Sequence, residues 1–440
     1  MALQLANVKN AADFQYMKSL RIHLKVLNAW PGDDVDGNQP KNKIFINVFM
    51  FIVNVSCISS SMHYMTIHWD TLTFFELGHM YIVFLVIIVT MVRIFALNNI
   101  INTFRNVGEL FLTKMHLIYF KDVSEYAMKT YKQMNIISRL FTLILTGQML
   151  GGLSLFNLIP MWSNYSLGKF KERILYNTTY EHSLYLSVPV LEIDTHLYAF
   201  LAYICSITIC MLDLLLSLMV FSLWGHLKIL LHDLASFPLP AKEVISSMDD
   251  RYASVTAEMY SKEELELISH KLMQCIDYHR RHWHFTVDMY IYKYTYKYGL
   301  FHLCYYSFTD RMSEAFGPML FVSFMFYQVS GCLLLLECSQ GTAEALIRYL
   351  PLSFIIFQQL IQVSIIFELI GSTSEKLKDA VYGVPWQYMD TNNRKIVAIF
   401  LYYVQEPIHV KAMGVVNVGV TTMASILKTS LSYFTFLRSV

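Results

Sequence analysis

The chain has 440 residues, 55% hydrophobic and 15% charged, with a mean hydropathy of +0.41 and a net charge of +1. Soluble domains carry about a quarter charged residues, so this deficit points to a bilayer, and the near-neutral balance gives no reason to expect nucleic acid. Catalysis is not expected either, because the sequence contains no nucleotide-binding glycine loop, no HExxH and no GxSxG.

Residues 1–42 are largely polar, with no early apolar run of the signal-peptide kind. Within them Phe14, Met17, Leu20, Leu24 and Leu27 recur at helical spacing, with Lys18, Arg21 and Lys25 offset from them. Such a basic amphipathic helix would lie on an anionic membrane surface or pack on the protein's own cytoplasmic part. The seven cysteines (Cys57, Cys205, Cys210, Cys275, Cys304, Cys332, Cys338) mostly fall in or beside apolar runs without metal-ligand spacing. They read as small apolar residues.

Membrane-length apolar stretches follow at 43–62, 74–97, 136–160, 195–223, 315–338, 344–371 and 413–438, which predicts an all-α protein with seven transmembrane helices. With the N-terminus inside, the interior segments hold 25 lysines and arginines and the exterior loops 3. The positive-inside rule therefore predicts a cytoplasmic N-terminus and an extracellular C-terminus. The sequons at Asn164 and Asn177 fall in the same exterior loop and mark candidate glycosylation sites, whereas the one at Asn54 lies inside the first span. This orientation opposes a receptor coupled to a G protein, whose N-terminus is outside. That class, signalling through a G protein or another effector, remains the alternative from a different mechanism.

The fourth span continues its leucine pattern through Leu223, Leu227, Leu230, Leu231 and Leu234, so its helix should project beyond the membrane. Asp213 lies within that span, and a carboxylate at such depth needs a partner or a cavity. Residues 262–286 form a further amphipathic helix on Leu265, Ile268, Leu272 and Ile276. With a helix over 393–407 it would build a cytoplasmic anchor bundle able to hold subunits together. His279, His282 and His284 in this region invite a metal reading, but the neighbouring Arg280 and Arg281 favour a solvated face. Trp30, Trp69, Trp162 and Trp386 lie near span ends or linkers, as interfacial anchors do.

The last stretch, joined to the anchor helix at Pro407, is apolar but carries Thr421, Thr422, Ser425, Thr429, Ser430 and Ser432. A helix facing only lipid has no use for that hydroxyl ladder; one that lines water or packs closely on another helix does.

In this C-terminal region Tyr382, Trp386, Arg394, Lys395, Gln405, Pro407, Ala412, Gly414, the run Ser432-Tyr433-Phe434 and Leu437 resemble the signature of insect odorant receptors. The strings VGVTTMASILKTSLSYFTFLRS, DRMSEAFGPMLF and QVSGCLLLLECSQG are similar to the moth sex-pheromone branch. The resemblance implies a ligand-gated, non-selective cation channel in the cell membrane of olfactory sensory neuron dendrites. It further implies a heterotetramer with an obligate co-receptor, in which each last helix faces a central pore. The implied ligand is a small hydrophobic volatile: a long-chain unsaturated acetate, aldehyde or alcohol. A gustatory-type channel working without a co-receptor is the nearer alternative. The domains expected are an amphipathic N-terminal segment (1–42), a six-helix ligand-binding bundle (43–392), and an anchor helix with the pore helix (393–440).

One stretch departs from the family pattern. Residues 287–309 interrupt a segment that otherwise reads HRRHWHFT-DRMSEAF, with Phe-Thr at both ends. The stretch is rich in Tyr, Ile, Lys and Phe, residues with AT-rich codons, and it begins with Val, whose codons start with GT as intron donors do. It reads as a retained intron or splice variant, or else as a genuine cytoplasmic insertion.

An apolar ligand is held mainly by burial, at about 0.8 kcal/mol per methylene, with one or two polar groups reading its head. The pocket candidates are His79, Met80 and Phe84 from span two, Gln148, Gly152 and Phe156 from span three, and Tyr198, Phe200 and Tyr203 from span four. Tyr327 in span five and Tyr349 in span six complete them. The competing reading is ordinary core packing for the aromatic and Met residues, an interhelical hydrogen bond for His79 and Gln148, and a packing seam for Gly147, Gly151 and Gly152. For the pore, Ser432, Phe436 and Ser439 share one stripe, and the resemblance puts the constriction at Phe436. Lys428, near mid-helix, is expected to face a neighbouring helix or the lower, wider conduit.

Overall fold

In a computed structural model, residues 10–26, 30, 43–67, 69–70, 74–166, 195–241, 259–283, 308–339, 341 and 343–439 are described. The fold is a helical bundle. Helices stand at the positions of all seven expected spans: α2 (Lys43–Ile67), α3 (Phe74–Asn99), α5 (Glu125–Ser166), α6 (Thr195–Ala235), α8 (Phe308–Ser339), α9 (Ala343–Tyr382) and α11 (Val420–Ser439). Around them are α1 (Gln15–Val26), α4 (Ile101–Leu110), α7 (Lys262–Trp283) and α10 (Thr391–Tyr403). Among the described residues, Cys210–Ala235, Phe308–Ser339 and Tyr349–Tyr388 are each long and apolar enough to cross a membrane. So, taken together, is the bent pair Phe84–Leu97 and Ile101–Phe120.

The N-terminal helix α1 turns its apolar face inward. Phe14, Met17, Leu20 and Leu24 are buried, and α1 packs on α6 and α5. Of the two placements open to it, it takes the one on the protein's own body. Trp30 is buried too, with Arg21 over its ring at 6.0 Å, so this tryptophan is a core residue rather than an interfacial anchor.

Helix α6 runs 41 residues, about 60 Å, well past a bilayer's hydrocarbon thickness, as its leucine pattern indicates. Helix α5 does the same over 42 residues, starting eleven positions before the apolar stretch begins. The extensions form a lower bundle with α4, α7 and α10. There His226 of α6 bonds the Tyr278 hydroxyl at 2.7 Å and the Met115 carbonyl at 2.8 Å. Asp390 caps α10 by accepting from the Asn393 amide, and Asn393 donates in turn to the Leu265 carbonyl of α7. His279 is buried with its ring edge-on to Phe400 at 5.4 Å, so it packs α7 on α10 instead of sitting on a solvated face.

The chain from 404 to 419 corrects two expected boundaries. Helix α10 ends at Tyr403, short of Pro407, and the last span begins at Val420 rather than 413. Between them β1 (Lys411–Ala412) pairs antiparallel with β2 (Val416–Asn417). The turn needs left-handed backbone at Met413 and Gly414 (φ 52° and 71°), which no continuing helix could accommodate.

Residues 287–307 of the interrupting stretch lie outside the described residues. Its last two, Phe308 and Thr309, open α8 and are buried.

Candidate functional site

Two arrangements stand out: a polar clasp deep in the bundle, and the two-faced last helix. The clasp joins three spans. Arg93 of α3 meets Asp213 of α6 through both terminal guanidinium nitrogens, at 3.1 and 3.4 Å, and also donates to the Ser323 hydroxyl of α8. Arg93 is 1% exposed. A bidentate geometry with a third partner is what a charge pair needs to survive removal from water. Sequence reasoning found the carboxylate but missed its partner. The signal was available, since Arg93 is the one arginine or lysine in the second span.

The expected pocket residues divide by location. Tyr327 is buried one turn along α8 from Ser323, so it stands beside the clasp. Tyr349 is fully buried on α9. Gly152 of α5 abuts the same helix: a Cβ there would lie 2.9 Å from the Ile355 Cδ1. Among the described residues nothing lies within 4 Å of a Cβ built at Gly147 or Gly151. Gln148 is half-buried, and its carbonyl oxygen is enclosed without a hydrogen-bond partner among the described residues. Phe84 is half-buried on α3. His79, Met80, Phe156, Tyr198, Phe200 and Tyr203 lie on α3, α5 and α6, but their side chains are outside the described residues. The structure thus brings together α3, α5, α6, α8 and α9, which carry every candidate, without assembling the candidates into one described cavity.

The last helix, α11, packs on α8 and α9 through one face. Ile426 and Ser430 are buried, and the Ser430 hydroxyl donates to the Gln328 carbonyl of α8 at 3.2 Å. The opposite face is exposed. Thr421, Ser425, Lys428, Ser432 and Phe436 are all exposed, Phe436 by 62%, and at 100° per residue they fall within an arc of about 80°. The hydroxyl ladder therefore splits: Ser430 serves close packing, and Thr421, Ser425 and Ser432 point away from the chain's own bundle. Among the described residues Lys428 faces no neighbouring helix; it stands on the exposed stripe. Ser439 closes the helix, with its side chain outside the described residues.

The base of α11 is held by α8 and α9. Glu368 of α9 accepts from the Val420 amide at 3.1 Å, placing a carboxylate at the helix's positive end. The Ser374 hydroxyl of α9 accepts from Ile408, and Ser313 of α8 from Lys411. The hairpin lies directly on Gly317, where a Cβ would come within 3.0 Å of both the Lys411 carbonyl oxygen and the Met413 amide nitrogen.

The resemblance residues, those of the run Ser432-Tyr433-Phe434 and Leu437 excepted, gather around this lower end. Tyr382 and Trp386 bring their rings to 6.1 Å, and the Arg394 guanidinium donates to the Gln387 carbonyl at 2.8 Å. Gln405 bonds back to Leu401, Pro407 and Gly414 bound the hairpin segment, and Lys395 and Tyr433 are exposed. Asn164 falls in the last turn of α5, not in a loop; Asn177 lies outside the described residues. Among the described residues no cluster of His, Cys, Asp and Glu could hold a metal ion.

A mostly helical bundle with helices at seven span positions, extended at one end and closed by a half-polar last helix, marks a polytopic membrane protein. The family described as 7tm odorant receptor matches residues 73–431, and the chain belongs to it. It is similar to odorant receptor 85c of Drosophila melanogaster, at 26% identity over 133 residues, 30% of this chain and 34% of that one. The chain spans about a third of the length of the curated relatives it matches. Over nearly the whole length its fold follows that of the insect olfactory receptor OR5 from Machilis hrabei, with TM-score 0.68 at 12% identity, covering 96% of this chain and 97% of that one. The structure of the same receptor in complex with eugenol gives a TM-score of 0.66 at 13% identity, covering 97% and 98%. The chain's family is described as one of odorant receptors.

Proposed function

We propose that this chain is the ligand-tuning subunit of an odorant-gated, non-selective cation channel, and that the bare stripe of α11 lines the conduit. The observation carrying this reading is that stripe. A lysine at the centre of a lipid-facing helix costs about 2.5–3.5 kcal/mol even on the most permissive insertion scales. Lys428 is the ninth residue of the 20-residue α11, about 12 Å from its start, with no ion pair among the described residues. A charge so placed requires water, and water at that depth outside one subunit's bundle requires other subunits to enclose it.

The N-terminus is cytoplasmic and the C-terminus extracellular, as the charge distribution supports. The lower bundle, with α10, then forms the cytoplasmic anchor. The other subunits are copies of the odorant receptor co-receptor, and the channel works in dendrites of olfactory sensory neurons. Near the outer end of α11, Phe436 forms a hydrophobic constriction that gates by dewetting, with Ser432 and Ser439 wetting the conduit on either side. The ligand, a moth sex pheromone of the long-chain unsaturated acetate, aldehyde or alcohol class, lies in the outer half of the bundle. Its chain is buried among Met80, Phe84, Phe156, Tyr198, Phe200, Tyr203, Tyr327 and Tyr349. His79 and Gln148 read its head, and Gly152 leaves room beside Ile355. The eugenol bound by the Machilis receptor supports a small organic ligand for this fold.

The test is current recording against a panel of such compounds, with and without the co-receptor, using the chain as given and a variant lacking residues 287–309. Currents that need both subunits are expected, larger in the shortened variant if the stretch is a retained intron. Responses from this chain alone contradict the co-receptor reading. Gln148→Leu with full sensitivity and unchanged head-group preference removes that residue from the pocket.

A further inference from the structure

We propose that Lys428 places a fixed positive charge in the ion conduit at mid-depth, making it the residue by which this subunit weighs against divalent cations. The inference rests on the pore reading above and adds a selectivity-determining residue to it. Its basis is the geometry of one helix. Lys428 shares the bare arc with Ser425 before it and Ser432 after it, while the packed face carries Ile426 and Ser430 on the opposite side. Rotating α11 to hide Lys428 would expose Ile426 and break the Ser430 hydrogen bond to α8, so the packing fixes the side on which the lysine stands. Glu368, the carboxylate that caps α11, is committed to the Val420 amide two turns below Lys428. The other residues of the stripe are hydroxyls and an aromatic ring, which cannot neutralise an ammonium.

The size of the effect follows from Coulomb's law. At about 7 Å in water, a unit charge repels a monovalent cation by roughly one RT, lowering its local concentration about threefold, and a divalent cation about sevenfold. Neutralising Lys428 should therefore raise permeability to calcium relative to sodium by about threefold. Because the interaction runs through water, it should fade as ionic strength rises and the screening length shortens.

The experiment uses the full chain co-expressed with the co-receptor. Reversal potentials and single-channel conductance are measured for Lys428→Gln, Lys428→Arg and Lys428→Cys at low and high salt. Lys428→Gln should raise both the calcium preference and the low-salt conductance, and Lys428→Arg should match the parent. Attaching an aminoethyl thiol reagent to Lys428→Cys should restore the parental values, which separates the charge from any change in assembly. Unchanged selectivity and conductance in Lys428→Gln, in channels where Ser425→Cys and Ser432→Cys still react with aqueous thiol reagents, overturns the proposal while sparing the pore reading. Loss of reactivity at both serine positions overturns the two together.

Discussion

Arg93 and Asp213 stand on different helices, 120 positions apart, and each is the kind of charge a membrane bundle tolerates only in company. Removing one partner leaves the other uncompensated, at a cost of up to about 3–5 kcal/mol when it is the buried Arg93 and less when it is Asp213, whose side chain is 21% exposed. Arg93→Ala should therefore reduce folded receptor at the cell surface. The exchange Arg93→Asp with Asp213→Arg should recover part of it, since the pair is re-formed in the opposite sense. Surface labelling of the two variants checks this, and equal surface levels for Arg93→Ala and the parent contradict it. His116 makes a second, independent prediction. Its ring lies against Phe14 and Phe111, its Nδ1 accepts from the Ile118 amide, and burial pushes its pKa from the ordinary 6.5 down to about 3. The folded state therefore holds a neutral imidazole. Its stability contribution is complete above the unfolded pKa of about 6.5 and is lost progressively as pH falls toward 3. Between pH 7.5 and 5.5 this one group should lower stability by about 1.4 kcal/mol, and His116→Gln should flatten that part of a detergent thermal-unfolding profile.

At the scale of elements, the hairpin between α10 and α11 ties α8 and α9 to the base of α11, the helix proposed to line the pore. It rests on α8 at Gly317, donates backbone hydrogen bonds to serines of α8 and α9, and ends where Glu368 caps α11. A shift of α8 or α9 must move the base of α11, because backbone atoms and not flexible side chains make the contact at Gly317. Gly317→Ala should cost about 1–3 kcal/mol through overpacking, and Gly317→Val should cost more. Ligand-evoked current should fall more steeply than surface expression in Gly317→Ala, and equal losses in both contradict the coupling. The sequence announced this element poorly. Pro407 and Gly414 marked a break, but apolar Val415, Val416 and Val418 beyond it extended the hydropathy of the last span seven residues too far toward the N-terminus. Period alone does not distinguish a short hairpin from the first turns of a membrane helix.

For the whole molecule, the spans were legible because bilayer crossing demands long apolar runs, and all seven fell where helices stand. The long extensions of α5 and α6 were visible only in part: α6 kept its leucine stripe, whereas α5 begins in the mixed run Glu125–Lys132, whose helical pattern carries no membrane signal. The side to which α1 turns could not be read from amphipathicity, since lipid and protein present the same apolar surface to Met17 and Leu20. The candidate site shows the same division. The hydroxyl ladder signalled a special helix, but only the packing of Ser430 on Gln328 told which hydroxyls face the bundle and which do not. The most direct measurement of that division is thiol-reagent accessibility along α11 in the assembled channel, with single-cysteine variants Ser425→Cys, Ser432→Cys and Ser430→Cys. The account predicts that a charged aqueous reagent alters current at Ser425→Cys and Ser432→Cys and leaves Ser430→Cys untouched. Reaction at Ser430→Cys with silence at the other two would contradict it.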